Sequence, residues 1–355
     1  MDIQELLHLT IKNNASDLHL VAGNPPALRI DGSLRYMSNQ PVLTQDLLEE
    51  MIFSLLTPEQ KEYLLANKEL DFSFGFGGGV YGDKGRFRAN IYYQRRFLSG
   101  AFRLFPPTIR SVSELNLPNI LNDFAKLKQG FVLIAGPNGH GKSTTLASII
   151  NIINLNKASH ILTVEDPIEY MYPAGKSLIS QREMGVDTHS WEASLRAALR
   201  EDPDVVLVGE MRDPETIATA ISVAETGHLV FSTLHTNSAA QTIDRMIDVF
   251  PANQQAQIRL QLSATLRGIV SQRLLPAVNG GRVPACEILL GTPAVANVIR
   301  EGKTHVLDSV IQTSKDAGMV TLESSLASLV SSGVVDIEVA KAYALHQDDF
   351  LQLVS

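Results

Sequence analysis

The chain has 355 residues, room for two or three domains, and its 45% hydrophobic and 19% charged residues are the balance of an ordinary folded protein. A formal net charge of −8 argues against a nucleic-acid partner, whose phosphates attract clustered Lys and Arg. The single cysteine, Cys286, excludes an intramolecular disulfide and a cysteine-rich zinc site, which suits a reducing cytoplasm.

In chain order, the start Met1-Asp2-Ile3-Gln4-Glu5 lacks the basic and apolar pattern of a signal peptide. Residues 3–11 carry apolar side chains at helical spacing. Residues 18–21 and 27–30 read as strands around the turn Gly23-Asn24-Pro25-Pro26, the second closing at Asp31-Gly32. Residues 72–76, 86–94 and 99–104 are further strands, the first two separated by a glycine-rich stretch at 77–85. This pattern predicts a small α+β domain over 1–104. A linker over 105–113 follows, because Pro106-Pro107 resists both helix and sheet.

Over 114–291 short β-branched apolar runs at 131–135, 161–164, 205–208 and 229–233 alternate with helical segments. That alternation predicts a parallel sheet covered on both faces, hence an α/β core. One helix has readable ends: Asp213 as N-cap, Pro214 in its first turn and Gly227 beyond its end, with Ile217, Ile221 and Ala224 as its apolar stripe. From 292 to 355 only helices are expected, for example 293–299 and 321–331. No apolar run is long enough to cross a bilayer, so any membrane attachment is expected through a partner.

The chemistry concentrates at the strand ends. Gly136-Pro137-Asn138-Gly139-His140-Gly141-Lys142-Ser143, followed by Thr144, is a phosphate-binding loop that leaves a strand and opens a helix. Its glycines let backbone N–H groups close around phosphate oxygens, and the helix N-terminus adds partial positive charge. Lys142 is expected on the β- and γ-phosphates of ATP and the Ser143 hydroxyl on Mg²⁺. His140 is expected to point to solvent without a catalytic role. The second strand ends in Glu165-Asp166-Pro167-Ile168-Glu169, the third in Gly209-Glu210, and the fourth in Leu234-His235-Thr236. Ligands of open parallel sheets sit at such carboxyl ends. Glu210 closes a Walker B-like strand, and Glu165 and Glu169 are rivals for general base. His235, at the carboxyl end, is the candidate γ-phosphate sensor. His228 lies seven residues earlier, roughly 23 Å away along an extended strand, and reads equally as structural. The arginines at 86, 88, 95, 96 and 103 are candidates to bring further positive charge across a subunit boundary.

These motifs together resemble the secretion ATPase superfamily, and within it the type IV pilus retraction ATPases. Ala15-Ser16-Asp17-Leu18-His19-Leu20 with Arg29-Ile30-Asp31-Gly32 is similar to the family's PAS-like N-terminal domain. Glu165 to Glu169 resembles its aspartate box, Gly209-Glu210-Met211-Arg212-Asp213 its Walker B, and Thr226-Gly227-His228 with Thr233-Leu234-His235-Thr236 its histidine box. The resemblance implies a PAS-like domain, a RecA-like ATPase core at 114–291 and a helical C-terminal region. It implies a cytoplasmic homohexamer at the inner-membrane face of the pilus machine, acting on the inner-membrane platform protein, with a second retraction ATPase as a further partner. It also implies Glu169 as general base, Glu210 as Walker B acid, and Arg88 and Arg103 as the arginine contacts. Extension and type II secretion ATPases are usually longer and often carry a four-cysteine zinc site, so the resemblance favours retraction; the alternatives are an accessory retraction paralogue, a pilus extension or type II secretion ATPase and, from another class, a non-hydrolysing nucleotide-dependent scaffold. Ala294-Val295-Ala296-Asn297-Val298-Ile299-Arg300-Glu301 is similar to the retraction signature AIRNLIRE and departs from it at three positions, Ala296 among them. Asn138 and His140 replace the usual Thr and Ser of the loop, changes expected to leave ATP binding intact.

Overall fold

The computed structural model describes residues 2–30, 32–77, 85–105 and 108–355. The expected turn residue Asp31, the glycine-rich stretch at 78–84 and the linker's Pro106-Pro107 lie outside the described residues. The chain divides into two compact units, Met1–Thr108 with Pro167–Met171, and Ile109–Asp166 with Tyr172–Ser355.

The first unit contains α1 (Ile3–Lys12), β1 (Asp17–Val21), β2 (Ala27–Ile30), β3 (Ser33–Tyr36), α2 (Gln45–Phe53), α3 (Pro58–Asn67), β4 (Glu69–Phe76), β5 (Gly85–Gln94) and β6 (Phe97–Phe105). Its strands form one antiparallel sheet in the order β3-β2-β1-β6-β5-β4. Alternation along the strands sends Leu18, Leu20, Phe72, Phe87, Ile91 and Phe102 to one face, where they pack with Ile3, Leu6 and Leu7 of α1 and Leu48 and Ile52 of α2. Four aromatic pairs, such as Phe72–Phe74 at 5.7 Å between ring centroids, knit that face. The opposite face carries a polar row. Arg29 pairs with Asp17, Asp17 with Arg103, Arg103 with Arg88, and Arg88 with Ser73 across successive strands.

The second unit contains α4 (Leu121–Phe124), β7 (Gly130–Ala135), α5 (Lys142–Asn156), β8 (His160–Glu165), β9 (Leu178–Glu183), α6 (Trp191–Ala198), β10 (Val205–Val208), α7 (Pro214–Glu225), β11 (Leu229–Leu234), α8 (Ala239–Asp248), α9 (Ala252–Thr265), β12 (Leu266–Pro276) and β13 (Arg282–Leu290). After these come α10 (Pro293–Glu301), α11 (Leu307–Thr313), α12 (Leu322–Ser331), α13 (Ile337–Tyr343) and α14 (Gln347–Val354). The sheet order is β13-β12-β7-β11-β10-β8-β9. All pairs are parallel except β12 with β13. Every residue of β7, β10 and β11 is buried, as strands covered on both faces require. One side packs Ile217, Ile221, Ile243 and Leu262 from helices against Leu133 and Val230. The other packs Ile149, Ile150 and Ile153 of α5 against Val132 and Phe231. The expected cap of α7 is present: the Asp213 side chain accepts the Thr216 N–H, Pro214 sits in the first turn, and Gly227 follows the helix at φ 100°.

The mixed α/β architecture matches the sequence expectation. Strands β3, β9, β12 and β13 were not expected. The β12–β13 hairpin is the consequential addition, because β12 is hydrogen-bonded to β7 and runs five residues beyond the last paired position, Ser271 opposite Ala135. That extension places residues 272–276 alongside the turn that leaves β7.

Candidate nucleotide site

The phosphate loop leaves β7 at Ala135 and enters α5 at Lys142. Two of its glycines are required by geometry. Gly136 has φ 145°, and a Cβ there would lie 2.4 Å from the Gln272 carbonyl oxygen. Gly141 has φ 85°, and a Cβ there would lie 2.9 Å from Gln272 Nε2. At Gly139, φ 76°, a Cβ would meet nothing within 4 Å, so that side of the loop is open. The first bond of α5 is Thr145 N–H to Gly141 O at 3.0 Å, leaving the N–H groups of Lys142, Ser143 and Thr144 ahead of the intrahelical ladder. Amides so placed, a lysine and an open glycine cradle fit a polyphosphate.

Lys142 is 7% exposed, and its ammonium donates to Gly136 O at 2.9 Å and Pro137 O at 3.1 Å. It also lies 3.3 Å from His235 Nδ1. His235 Nε2 in turn is 2.8 Å from Glu210 Oε1, and Arg212 donates to Glu210 Oε2 at 2.8 Å. A continuous polar chain thus joins the phosphate loop, the end of β11 and the end of β10. The donor assignment follows from chemistry. An ammonium can only donate, so Nδ1 accepts and Nε2 carries the hydrogen that goes to the carboxylate. Burial alone would raise the Glu210 carboxyl, but the Arg212 hydrogen bond, the Arg212 charge and the polar contact with His235 outweigh it and hold the group below the usual carboxylate range. Glu210 is therefore ionised at neutral pH.

Glu165 closes β8, next to β10. Its Oε1 accepts from Thr163 Oγ1 at 2.7 Å and from Gln181 Nε2 at 3.3 Å, and Gly209 packs against it. Lys142, Glu165, Glu210 and His235 are thus brought to the carboxyl edge of one sheet. Glu169 lies on Pro167–Met171, which belongs to the first unit, where Arg86 Nε donates to Ile168 O at 2.7 Å. Arg88 and Arg103 also belong to the first unit. Arg88 forms a bidentate pair with Asp71, and Arg103 Nε lies 3.1 Å from Asp17. His228 lies at the opposite end of β11 and its Nδ1 is 3.0 Å from Val223 O, so it serves the C-terminal turn of α7.

One expectation is corrected. The His140 side chain does not point to solvent. Its Nδ1 accepts the Leu274 backbone N–H at 3.0 Å, and its ring lies 6.3 Å from that of Tyr343 on α13. The sequence reading also passed over Gln272, which is 2% exposed. Its Nε2 donates to His140 O and its Oε1 accepts the Thr145 hydroxyl, both at 2.8 Å, so one side chain braces the loop and the helix it opens. Beside it, the buried Arg273 donates to Asn237 O at 2.9 Å and to Asn237 Oδ1 at 3.1 Å, fixing the turn after β11. The polar pair Gln272-Arg273 inside an apolar run was the available signal.

Residues 110–339 match the family model for type II/IV secretion system proteins. The chain is 45% identical over 350 residues to the type IV pilus retraction ATPase PilT of Pseudomonas aeruginosa, spanning 99% of this chain and 100% of that protein. It is 37% identical to the type IV pilus ATPase PilU of the same organism, spanning 100% of this chain and 91% of that one. The crystal structure of the pilus retraction motor PilT with bound ADP superimposes with a TM-score of 0.92 at 45% identity, covering 99% of each chain. The chain belongs to the type II/IV secretion system protein family and is an ATPase of that family.

Proposed function

We propose that this ATPase is the hydrolytic motor of type IV pilus retraction, with ATP held by Gly136, Pro137, Asn138, Gly139, His140, Gly141, Lys142, Ser143 and Thr144. The observation that carries this reading is the polar chain Lys142–His235–Glu210, which couples the phosphate loop to two further strand ends. In it Lys142 binds the β- and γ-phosphates, exchanging its bonds to the loop carbonyls for phosphate oxygens. His235 sits where it registers the position of Lys142 and passes that position to Glu210. Glu210 acts as the Walker B acid. Among the described residues no group of three or more His, Cys, Asp or Glu could hold a metal. The Ser143 hydroxyl together with phosphate oxygens would hold Mg²⁺, which supplies charge neutralisation on the phosphates. Glu169 is the general base that takes the proton of the attacking water, with Glu165 as the rival carboxylate. Arg88 and Arg103 complete the charge balance in a homohexamer by leaving Asp71 and Asp17 for phosphate.

Retraction rather than an accessory role is supported by the higher identity to PilT than to PilU of one organism, 45% against 37%. No helix among the described residues is long and apolar enough to cross a membrane. The motor would then work at the cytoplasmic side of the inner membrane, held there by the pilus platform protein. The test is steady-state ATP turnover by the purified hexamer and its Glu169→Gln variant. Loss of a general base lowers kcat by about 10²–10⁴-fold. A wild-type hexamer with no detectable turnover overturns the motor reading, and an unaffected Glu169→Gln variant overturns the assignment of the base.

A further inference from the structure

The ring of His140 occupies a place that the backbone of β12 creates. β7 stops at Ala135, opposite Ser271, while β12 continues to Pro276. Past Ser271 no strand among the described residues continues the ladder on that side of β12. On the other side Leu274 stands opposite Pro284, which has no N–H to give. The Leu274 N–H points away from β13, and a half-buried backbone donor in that position needs an acceptor. His140 Nδ1 supplies it at 3.0 Å. The same residue's carbonyl accepts from Gln272 Nε2 at 2.8 Å. His140 is thus tied to β12 twice, once through its main chain and once through its side chain, from a position in the middle of the phosphate loop.

The surroundings select the form of the ring that can accept. Burial first, then the positive charges of Arg273 on β12, Lys142 on α5 and Arg282 on β13, hold the imidazole below its ordinary range. From α13 the ring faces Tyr343. At neutral pH His140 is uncharged, and a ring whose Nδ1 accepts carries its hydrogen on Nε2.

We infer that His140 is a positioning residue for nucleotide binding, its neutral Nδ1 fastening the phosphate loop to β12 so that the loop amides are held ready for phosphate. An untethered loop has to be ordered when the nucleotide arrives, and that ordering is lost from affinity. The inference rests on 136–144 being the phosphate site.

Binding of fluorescently labelled ADP with Mg²⁺ to the intact protein tests it through three variants. His140→Ala leaves the Leu274 N–H unpaired and weakens ADP binding by about tenfold. His140→Asn places Oδ1 as many bonds from Cβ as Nδ1, and restores affinity to within about threefold of wild type. His140→Gln carries its acceptor one carbon too far and binds like the alanine variant. In turnover assays the KM for ATP follows the same ranking, while kcat moves less. General damage to the fold would not rank Asn above Gln, so equal defects in those two overturn the inference, as does wild-type affinity in His140→Ala. Lys142→Ala separates the underlying reading: if it binds ADP like wild type, the loop is not the phosphate site at all.

Discussion

Gln272→Met replaces the brace behind the phosphate loop with an apolar side chain of nearly the same shape. Little cavity or overpacking cost enters, so the change isolates the two hydrogen bonds. Thr145 is 1% exposed and loses the acceptor of its hydroxyl, and the His140 carbonyl loses a donor. Each buried polar group left unpaired costs about 1–3 kcal/mol. The His140 carbonyl lies in a partly open loop and falls at the low end, so the sum is about 2–4 kcal/mol. Set against a total stability of about 5–15 kcal/mol, such a loss is readily measured. The assay is urea unfolding, reading the transition whose midpoint rises with added ADP, because a nucleotide stabilises the unit that binds it. The variant is expected to lower that midpoint and to weaken ADP binding together. A change of less than about 0.5 kcal/mol, the size of an ordinary surface substitution, with unaltered ADP affinity would refute the bracing role.

Glu287 is 5% exposed and accepts the Ala239 N–H, and burial pushes its carboxyl up to about 7. Its folded value stands above the unfolded one, so the cost of ionising it is absent below about pH 4.5 and fully present above about pH 7, at up to about 3 kcal/mol. Urea titrations of wild type and Glu287→Gln at pH 5 and pH 8 should show the wild type losing stability relative to the variant as pH rises; parallel behaviour would remove Glu287 as the source. For the arginines, mixing Arg103→Ala with Lys142→Ala subunits should recover part of the ATPase activity that each lacks alone, since some sites in a mixed ring are intact; verified mixed rings without recovery would confine Arg103 to its own subunit.

The sequence made the centre of the second unit legible because parallel strands buried on both faces must be largely apolar: β7 and β10 are so throughout, and the buried stretches of β8 and β11 are interrupted only by Thr163 and by Ser232 and Thr233. Helix α7 was legible from its ends, where Asp213, Pro214 and Gly227 each meet a distinct backbone demand. β12 was hidden because its buried residues include Gln272 and Arg273, polar side chains whose partners lie more than thirty residues away and impose no periodicity. His140 was misread for the same reason. Loop position argues for exposure, and only the Leu274 N–H, brought alongside by β12, explains why the ring turns inward. Edge strand β9 escaped because it is only half-buried and mostly polar in its second half. Glu165 and Glu169 are four residues apart and read as rivals for one role, yet the chain passes from the second unit to the first at Asp166–Pro167 and the two belong to different units.

The central claim, that hydrolysis at this phosphate loop drives retraction, is tested most directly by replacing the chromosomal gene with one encoding Lys142→Ala and counting surface pili. Surplus pili on cells that do not twitch is the predicted result. Bald cells would contradict retraction and indicate extension, and normal piliation with normal twitching would contradict the motor.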